Sequence, residues 1–229
     1  MKILIIIPAY NEGLNIERVV DNLTRNFPEY DYVVINDGSK DNTADICRQR
    51  GYNLIDLPVN LGLSGAVMTG MRYAVKNGYD AAIQFDGDGQ HRPEHIAKMV
   101  QCMEAEGMDV VIGSRFVDEE KSNGLRMLGS NIISSFIKIT TGQRVKDPTS
   151  GMRLFKRNVL EKYICDMNYE PEPDTISYLI HSGFKVKEVQ VTMDERIAGE
   201  SYLNFTRSIR YMIHMCFSIV FIQNFRKRG

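Results

Sequence analysis

Short apolar runs alternate with amphipathic stretches along the first half of the chain. The runs are rich in β-branched residues and predict strands at 2–7, 31–36, 52–57, 80–85 and 108–113. The amphipathic stretches predict helices at 12–26, 41–50, 64–77 and 93–106. Strands that alternate with helices form βαβ units, so this half predicts an α/β fold with a mostly parallel, Rossmann-type sheet flanked by helices.

The pattern is less regular after residue 113. It predicts a polar loop at 113–124, helices at 125–140 and 172–181, strands at 150–156 and 184–191, and a mostly helical, apolar tail from residue 201. We therefore predict one domain over 1–200, with a nucleotide-binding half at 1–113 and an acceptor half at 114–200. Residues 201–229 would form a C-terminal helix.

Composition is ordinary for a soluble globular protein, with 43% hydrophobic and 25% charged residues in a chain of 229. The formal net charge of −1 argues against broad nucleic-acid binding. Four widely spaced cysteines without a CxxC pair favour reduced thiols in a cytosolic protein. The apolar start ends too early at Pro8 for a signal peptide, and no run approaches the ~18 apolar residues of a membrane span.

The most informative stretch is Asp86-Gly87-Asp88, at the end of the predicted strand 80–85. If this stretch is extended, its two carboxylates point to the same face and can converge on one hard cation. Such a cation usually takes its remaining ligands from water and substrate phosphates. A calcium-binding EF-hand is excluded, because His91 and Ala97 stand where that loop needs glycine and a carboxylate. A solvated acidic turn is the plainer alternative.

Further polar motifs follow the first three predicted strands and continue through the second half of the chain. They are Pro8-Ala9-Tyr10-Asn11-Glu12, Asn36-Asp37-Gly38-Ser39-Lys40-Asp41-Asn42-Thr43, Asn60-Leu61-Gly62, Gly113-Ser114-Arg115, Asp147-Pro148-Thr149-Ser150-Gly151-Met152-Arg153 and Arg196-Ile197-Ala198-Gly199-Glu200-Ser201. Together with Asp86-Gly87-Asp88, this order resembles the family 2 glycosyltransferases with the GT-A fold, in the branch of dolichol- and polyprenyl-phosphate sugar synthases. Each motif is weak alone, but the set covers nearly the whole chain.

Other nucleotide-binding classes fit less well. The first strand lacks the G-x-G-x-x-G of a dinucleotide-binding domain, and the chain has no P-loop. A nucleotidyltransferase would not explain the motifs that carry Arg115, Arg153 and Arg196. A non-catalytic nucleotide-binding module could lose the later motifs, which this chain retains.

The resemblance implies a donor site for a UDP- or GDP-linked sugar. The residues it assigns to nucleotide-sugar binding are Pro8, Ala9, Tyr10, Glu12, Asp37, Gly62, Asp86, Gly87 and Asp88. Asp86, Asp88 and Gln90 would hold Mg²⁺ or Mn²⁺, and Asp88 is assigned a catalytic role. Helix capping is the alternative for Glu12 and Asp37. The family often has Asp in place of Asn36 and Lys in place of Leu63. We expect His91 and His95 to have loop or surface roles.

The resemblance also implies a set of arginine and serine residues that bind a phosphate-bearing acceptor and the donor diphosphate. They are Arg115, Arg126, Ser130, Arg153, Arg196 and Ser201, and Arg196 is also assigned to catalysis. The planar guanidinium suits phosphate oxygens. Surface charges or salt bridges are the alternative for any one of them.

The acidic cluster Glu170-Pro171-Glu172-Pro173-Asp174 bears on the choice of acceptor. A sugar hydroxyl needs a carboxylate general base, whereas a phosphate is already ionised and needs none. Glu172 matches the family's acidic position best, and Asp174 is the second candidate. Either could instead favour the start of the following helix.

The tail has an apolar stretch, 211–225, between Arg207 and Arg210 on one side and Arg226-Lys227-Arg228 on the other. A helix of that length covers about 22 Å, which is short of a ~30 Å hydrocarbon core. It could lie in the membrane interface together with the amphipathic segment 125–140, or it could pack in the core or in a homodimer.

These observations predict an inverting, metal-dependent glycosyltransferase that moves a sugar to a polyprenyl phosphate. It would act as a peripheral protein at the cytoplasmic, inner face of the membrane, with a small membrane protein as a candidate partner. The first alternative is transfer to a sugar hydroxyl of a lipid-linked glycan or of a cell-surface polysaccharide precursor. The second is a non-catalytic nucleotide-binding partner of a membrane complex.

Overall fold

The protein is built around a seven-stranded mixed sheet with the strand order β3-β2-β1-β4-β6-β5-β7. The structure is a computed structural model, and it describes residues 1–118, 125–165, 171–194, 205–223 and 225. The strands are β1 (Ile3–Ala9), β2 (Asp31–Asn36), β3 (Leu54–Asp56), β4 (Ala81–Gln84), β5 (Val110–Ser114), β6 (Arg153–Lys156) and β7 (Val186–Gln190). All neighbouring pairs are parallel except β4–β6 and β5–β6, which are antiparallel.

Helices cover both faces of the sheet. They are α1 (Ile16–Asn26), α2 (Thr43–Gln49), α3 (Gly62–Lys76), α4 (Glu94–Glu106), α5 (Leu125–Thr141), α6 (Arg157–Cys165), α7 (Pro173–His181) and α8 (Phe205–Phe217), which continues as a π-helical segment, Ser218–Gln223. Residues of α1, α2 and α4 pack on one face, and residues of α3, α5, α6, α7 and α8 pack on the other. Successive side chains of a strand point to opposite faces, so the apolar run of β1 supplies both cores.

The structure confirms the predicted α/β fold and most of its elements. The antiparallel strand β6 is the main departure from a purely parallel pattern, and it pairs Arg153 with Gln84 of β4. The sequence pattern did not predict α6. This helix begins at Arg157, directly after β6 ends at Lys156, so no loop separates the two elements. The division into a domain at 1–200 with two halves stays a prediction.

The C-terminal segment is amphipathic. Met215 and Ile219 are buried against the core, while Ile213, Phe217, Phe221 and Phe225 are between 55% and 76% exposed. Within the described ranges, none of the helices combines the length and apolar character needed to cross a membrane.

Candidate functional site

Three loops meet at the carboxyl ends of β1, β2 and β4. The amide of Asp37, after β2, donates to Ala9 O at 2.9 Å, and the amide of Gly87, after β4, donates to Pro8 O at 3.2 Å. A β-carbon on Gly87 would lie only 3.0 Å from Pro8 O, so glycine permits the close approach. Ligands of open α/β sheets bind at this edge.

Asp37 joins the second and third loops. It is buried, and its Oδ1 accepts a 2.7 Å hydrogen bond from the amide of Leu61. Its carbonyl accepts another at 3.1 Å from Asn60 Nδ2. Gly38 has a φ of +63°, and a β-carbon there would lie 2.8 Å from Asn60 N. The Asp37 carboxylate therefore anchors the start of α3 by binding the amide of its N-cap residue, Leu61, although Asp37 is not itself an N-cap residue.

The loop after β1 is joined to the loop after β2. The amide of Glu12 donates to Thr43 Oγ1 at 2.9 Å, and the Glu12 carboxylate accepts from Asn15 Nδ2 at 2.7 Å. Asn11, which has a φ of 56°, accepts from the amide of Lys40 at 2.8 Å. These bonds fix the loop that carries Pro8, Ala9 and the half-buried Tyr10.

The two positions that depart from the family pattern have different surroundings. Asn36 is buried, and its Nδ2 donates to Asp56 Oδ1 of β3 at 2.6 Å. Its side chain is therefore used within the sheet. Leu63 is 55% exposed in the first turn of α3, next to Gly62.

β4 ends at Gln84, and a turn follows at Gly87 and Asp88, so Asp86 directly precedes this turn. Gly89 in this turn has a φ of +78°, a conformation that favours glycine. Asp86 is half-buried and Asp88 is buried. Asp88 Oδ1 accepts from the amide of Gln90 at 3.0 Å, which fixes the Asp88 side chain against the backbone that follows it.

Two neighbours hold the Asp86 carboxylate. Gln84 Nε2 donates to Asp86 Oδ1 at 3.0 Å, and His91 Nε2 lies 3.8 Å from Asp86 Oδ2. His91 Nδ1 accepts the amide of Asp86 at 2.9 Å, which leaves the ring proton of neutral His91 on Nε2. His91 lies in the loop between β4 and α4, as expected, but it is 6% exposed and is therefore not a surface residue. The Asp-x-Asp-x-x-His spacing in the sequence was the signal for the contact between His91 and Asp86.

Gln90 connects the turn to the segment after β7. Its Nε2 donates to Asp194 O at 3.3 Å, and the amide of Asp194 donates to Gln90 O at 2.9 Å. Arg92 forms an ion pair with Asp194, with Nη2 and Oδ1 2.6 Å apart. In this structure the Gln90 side chain thus contacts the protein chain that leads to residues 195–204.

The residues of this turn fit a hard divalent cation in part. Asp86 and Asp88 offer carboxylate oxygens, which Mg²⁺ and Mn²⁺ prefer. In the described part of the chain no group of three His, Cys, Asp or Glu side chains is arranged to hold a metal ion. Two carboxylates suit a cation whose other ligands come from substrate phosphates and water.

The two described arginines of the predicted phosphate set differ in their partners. Arg115 Nε and Nη2 each bind the buried carboxylate of Asp147 at 2.8 Å, and its side chain is 30% exposed. Burial alone would lower the pKa of Arg115, but the Asp147 carboxylate raises it above its usual value. Arg115 therefore keeps a positive charge at the edge of the site.

Arg153 is 4% exposed, and its guanidinium donates to three backbone carbonyls. These are Ser150 O at 2.8 Å, Pro171 O at 2.9 Å and Pro148 O at 2.7 Å. This geometry anchors the loop before β6 to the loop before α7, which is a different task from the predicted phosphate contact.

The remaining predicted acceptor residues are described in part. Ser130 is buried in α5, next to Gly129, where a β-carbon would lie 1.8 Å from Met212 Sδ of α8. The close packing of α5 on α8 therefore requires glycine. The side chain of Arg126, and the whole of Arg196 and Ser201, lie outside the described residues.

Both candidate bases bind other side chains. Glu172 Oε1 accepts from Ser64 Oγ at 2.7 Å, and its Oε2 accepts from Tyr211 OH at 2.5 Å. Asp174 is buried, and its Oδ2 accepts from Ser218 Oγ at 2.5 Å and from Gln223 Nε2 at 3.0 Å. These partners could not be predicted from the sequence, because Ser64 is 108 residues away from Glu172.

Comparisons with known proteins agree with this geometry. The family model for glycosyl transferase family 2 matches residues 4–164. An undecaprenyl-phosphate mannosyltransferase of Micrococcus luteus is 30% identical, covering 89% of this chain and 88% of its own. A UDP-N-acetylglucosamine–dolichyl-phosphate N-acetylglucosaminyltransferase of Methanococcus voltae is 37% identical over 69% of this chain and 71% of its own.

A solved structure supports the fold. Glucosyl-3-phosphoglycerate synthase of Mycobacterium tuberculosis, in complex with Mn²⁺, uridine diphosphate and glucosyl-3-phosphoglycerate, superposes with a TM-score of 0.71. The match has 17% sequence identity and covers 95% of this chain and 79% of that one. The chain therefore belongs to glycosyl transferase family 2, as its motifs predicted, and is a nucleotide-sugar-dependent glycosyltransferase.

Proposed function

We propose that the chain transfers a sugar from a nucleotide sugar to a polyprenyl phosphate, with inversion at the anomeric carbon. The observation that carries this proposal is the meeting of the Pro8 loop, Asp37 and the Asp86–Asp88 turn at one edge of the sheet. Relatives that cover most of the chain are named for transfer to undecaprenyl and dolichyl phosphates. Inversion corresponds to a single displacement, in which the acceptor oxygen attacks opposite the leaving diphosphate.

The donor would lie on the three loops at the sheet edge. We assign the base and ribose to Pro8, Ala9, Tyr10, Glu12 and Asp37, and the diphosphate to the turn at 86–88 and to Gly62. Asp86 and Asp88 would hold Mg²⁺ or Mn²⁺. Gln90 would join them once its side chain no longer donates to Asp194 O. When bound, the cation neutralises charge on the diphosphate and makes it a better leaving group.

The acceptor phosphate would lie against the basic side of the site. We assign it to Arg115, Arg126, Ser130, Arg196 and Ser201, and we assign Arg153 to holding the loop. Arg115 suits this role because it stays charged and partly exposed beside Asp147.

A phosphate acceptor also agrees with the two carboxylates of α7. A hydroxyl acceptor would need a carboxylate that can take up its proton. Glu172 and Asp174 each accept two hydrogen bonds from protein side chains, so both carboxylates already have partners within the protein. This arrangement favours an acceptor that arrives ionised over transfer to a glycan hydroxyl.

The amphipathic C-terminal segment would bring the site to the lipid. Ile213, Phe217, Phe221 and Phe225 present an exposed apolar stripe, and Arg210 is exposed at its start. Basic residues also follow the stripe in the sequence, at 226–228. Such a helix suits the interface of an anionic membrane, at its cytoplasmic face, where a membrane protein or a second copy of the chain could add contacts.

A donor-by-acceptor transfer assay tests the proposal. UDP- and GDP-linked sugars would be incubated with polyprenyl phosphate and Mn²⁺ or Mg²⁺, and labelled sugar in the organic phase would be measured. We expect transfer from one donor class, and its loss with EDTA. Metal-dependent donor hydrolysis without transfer to the lipid would reject the acceptor, and nucleotide binding without any turnover would reject catalysis.

A further inference from the structure

The first turn of α7 contacts two separate parts of the molecule through one side chain. Glu172 Oε1 binds the hydroxyl of Ser64 in α3, and its Oε2 binds the hydroxyl of Tyr211 in α8. Asp174, two residues later, binds the π-helical segment after α8, through Ser218 and Gln223. Glu172 is therefore the residue of this turn that joins the C-terminal helix to α3.

The carboxylate of Glu172 is not used by its own helix. Glu172 is the N-cap residue of α7, but its side chain makes no capping hydrogen bond. Its backbone carbonyl accepts instead, from Thr175 Oγ1 at 2.7 Å and from the amide of Thr175 at 3.2 Å. Loss of the carboxylate would thus leave the backbone contacts at the start of α7 in place.

The α3 end of this contact lies beside the nucleotide edge. Leu61, immediately before α3, donates its amide to Asp37 Oδ1 at 2.7 Å. Ser64 is three residues further along, in the first turn of the same helix, and it is 7% exposed. The first turn of α3 is therefore held by Asp37 at one point and by Glu172 about one helical turn away.

The chemistry of the three groups suits a fixed contact. Hydrogen bonds to an ionised carboxylate are about twice as strong as those between neutral groups. Burial, together with the charge of Glu172 and the hydrogen bond to it, raises the pKa of Tyr211 above its usual value. The Tyr211 hydroxyl therefore remains a donor throughout the working pH range.

We infer that Glu172 is a positioning residue, through which α8 holds the first turn of α3 and thereby the Asp37 side of the donor site. The inference rests on the proposed function, because that function gives Asp37 its contact with the nucleotide. It predicts that loss of a hydroxyl on the C-terminal helix weakens nucleotide binding beside the N-terminal end of α3.

Three single-hydroxyl deletions test this inference. Ser64→Ala and Tyr211→Phe each remove one partner of Glu172, whereas Ser218→Ala removes a partner of Asp174 and serves as the matched control. Titration of the full chain with UDP or GDP in the presence of Mn²⁺ would measure nucleotide affinity, and urea unfolding would measure stability. We expect both Glu172-linked variants to bind nucleotide about three- to tenfold more weakly, and the control to change affinity by less than about twofold.

Variants of Glu172 itself separate positioning from base catalysis. Glu172→Gln can still accept from Ser64 and can donate to Tyr211, so we expect it to restore most of the affinity that Glu172→Ala loses. A general base replaced by Gln would lose about 100- to 10,000-fold in kcat, together with the acidic limb of the pH profile. That outcome would overturn the inference.

Equal nucleotide affinity in all variants, with only a loss of stability, would also overturn it. The titration does not require an acceptor. A wild-type chain that binds nucleotide but transfers no sugar to polyprenyl phosphate would therefore reject the proposed function, and the Glu172 inference would still be decided by the affinities.

Discussion

Residues of the same type have different tasks in this site because their partners differ. Arg115 pairs with one buried carboxylate and keeps a partly exposed guanidinium, whereas Arg153 is buried and binds three carbonyls. A sequence motif shows that a charge is present but not which oxygen it meets, so both arginines received the same prediction. The distinction follows from the deeper burial of Arg153, and it can be tested by measuring the stability of an Arg153 variant.

Arg153→Ala should lower the free energy of unfolding by about 3–5 kcal/mol, because it leaves buried carbonyls without donors. Urea denaturation would measure the effect. Arg25→Ala is the control, since Arg25 forms an ion pair with Asp21 and its side chain is 72% exposed, and it should cost about 0.5 kcal/mol or less. If both variants lost a similarly small free energy of unfolding, the anchoring role would be contradicted. Arg153 would then again be a candidate for binding phosphate.

Asp88→Asn should lower metal-dependent transfer by about 1,000-fold or more while leaving the free energy of unfolding nearly unchanged. The amide oxygen can still accept from the backbone of Gln90, but it carries no charge for a divalent cation. Transfer assays across a Mn²⁺ series would measure the loss. Asp45→Asn, at a side chain that is 68% exposed on α2, is the control and should behave as wild type. Full activity of the Asp88 variant would remove the metal assignment.

At the scale of elements, the N-terminal turn of α4 is connected to the segment after β7 by a titratable contact. His95 Nε2 accepts the amide of Thr192 at 2.9 Å, and burial lowers the pKa of His95 below its ordinary value of 6.5. The unfolded chain thus binds this proton at a higher pH than the folded chain does. By linkage, the free energy of unfolding decreases as the pH falls through about 6.5.

We therefore expect His95→Gln to flatten the stability profile between about pH 7 and pH 5.5 relative to wild type. Thermal melts at closely spaced pH values would measure the profile. His214→Gln is the control, because His214 is exposed on α8. A wild-type profile that the His95 substitution leaves unchanged would show that other groups set the acid sensitivity.

The exposed stripe of the C-terminal segment supports a prediction about lipid. The double variant Phe217→Ser with Phe221→Ser should bind anionic phosphatidylglycerol vesicles at least about tenfold more weakly, because each phenyl ring lost removes apolar area from the interface. Co-sedimentation would measure binding, and the melting temperature should hardly change, since both side chains are more than half exposed. Met215→Ser, at a buried position, should lower the melting temperature instead. Unchanged vesicle binding by the double variant would show that a different surface of the protein binds the membrane.

The elements that the sequence predicted best are those whose apolar pattern is decided locally. The strand 31–36 was predicted with the bounds that β2 has, and the helix at 125–140 agrees with α5 to one residue. The direction of β6 could not be predicted, because strand direction depends on which strands lie beside it in the finished sheet. The fourth strand was predicted to reach Phe85, whereas β4 ends at Gln84 and a turn follows at Gly87 and Asp88, as the alternative of an acidic turn allowed.

For the whole molecule, metal and nucleotide should stabilise the fold together. Binding to the folded chain alone raises the free energy of unfolding by about 2.7 kcal/mol at a ligand concentration 100 times Kd. For a chain of this length, that should raise the melting temperature by about 5–10 °C. Thermal scans with UDP or GDP, each with Mn²⁺ and with EDTA, would measure it. An equal rise with EDTA would show that nucleotide binding does not need the cation.

The position of the candidate site could be predicted from the sequence, but the side-chain contacts that hold its loops and helices in place could not. The loops at the ends of β1, β2 and β4 could be placed together, because parallel strands bring their carboxyl ends to one edge. Contacts such as Ser64 with Glu172, or Tyr211 with Glu172, depend on side-chain directions that only the packed helices determine. They were therefore outside the reach of motif and periodicity.

The antiparallel strand β6 has a consequence for folding during synthesis of the chain. β4 pairs with β1 on one side and with β6 on the other, and β6 is made about 70 residues after β4. At about 5–20 residues per second, the apolar edge of β4 waits roughly 4–14 s on the ribosome for its partner. An unpaired strand edge is a template for pairing with other chains. The nascent protein therefore carries an aggregation hazard that the finished sheet hides, and the pace of translation between β4 and β6 governs how long that hazard lasts.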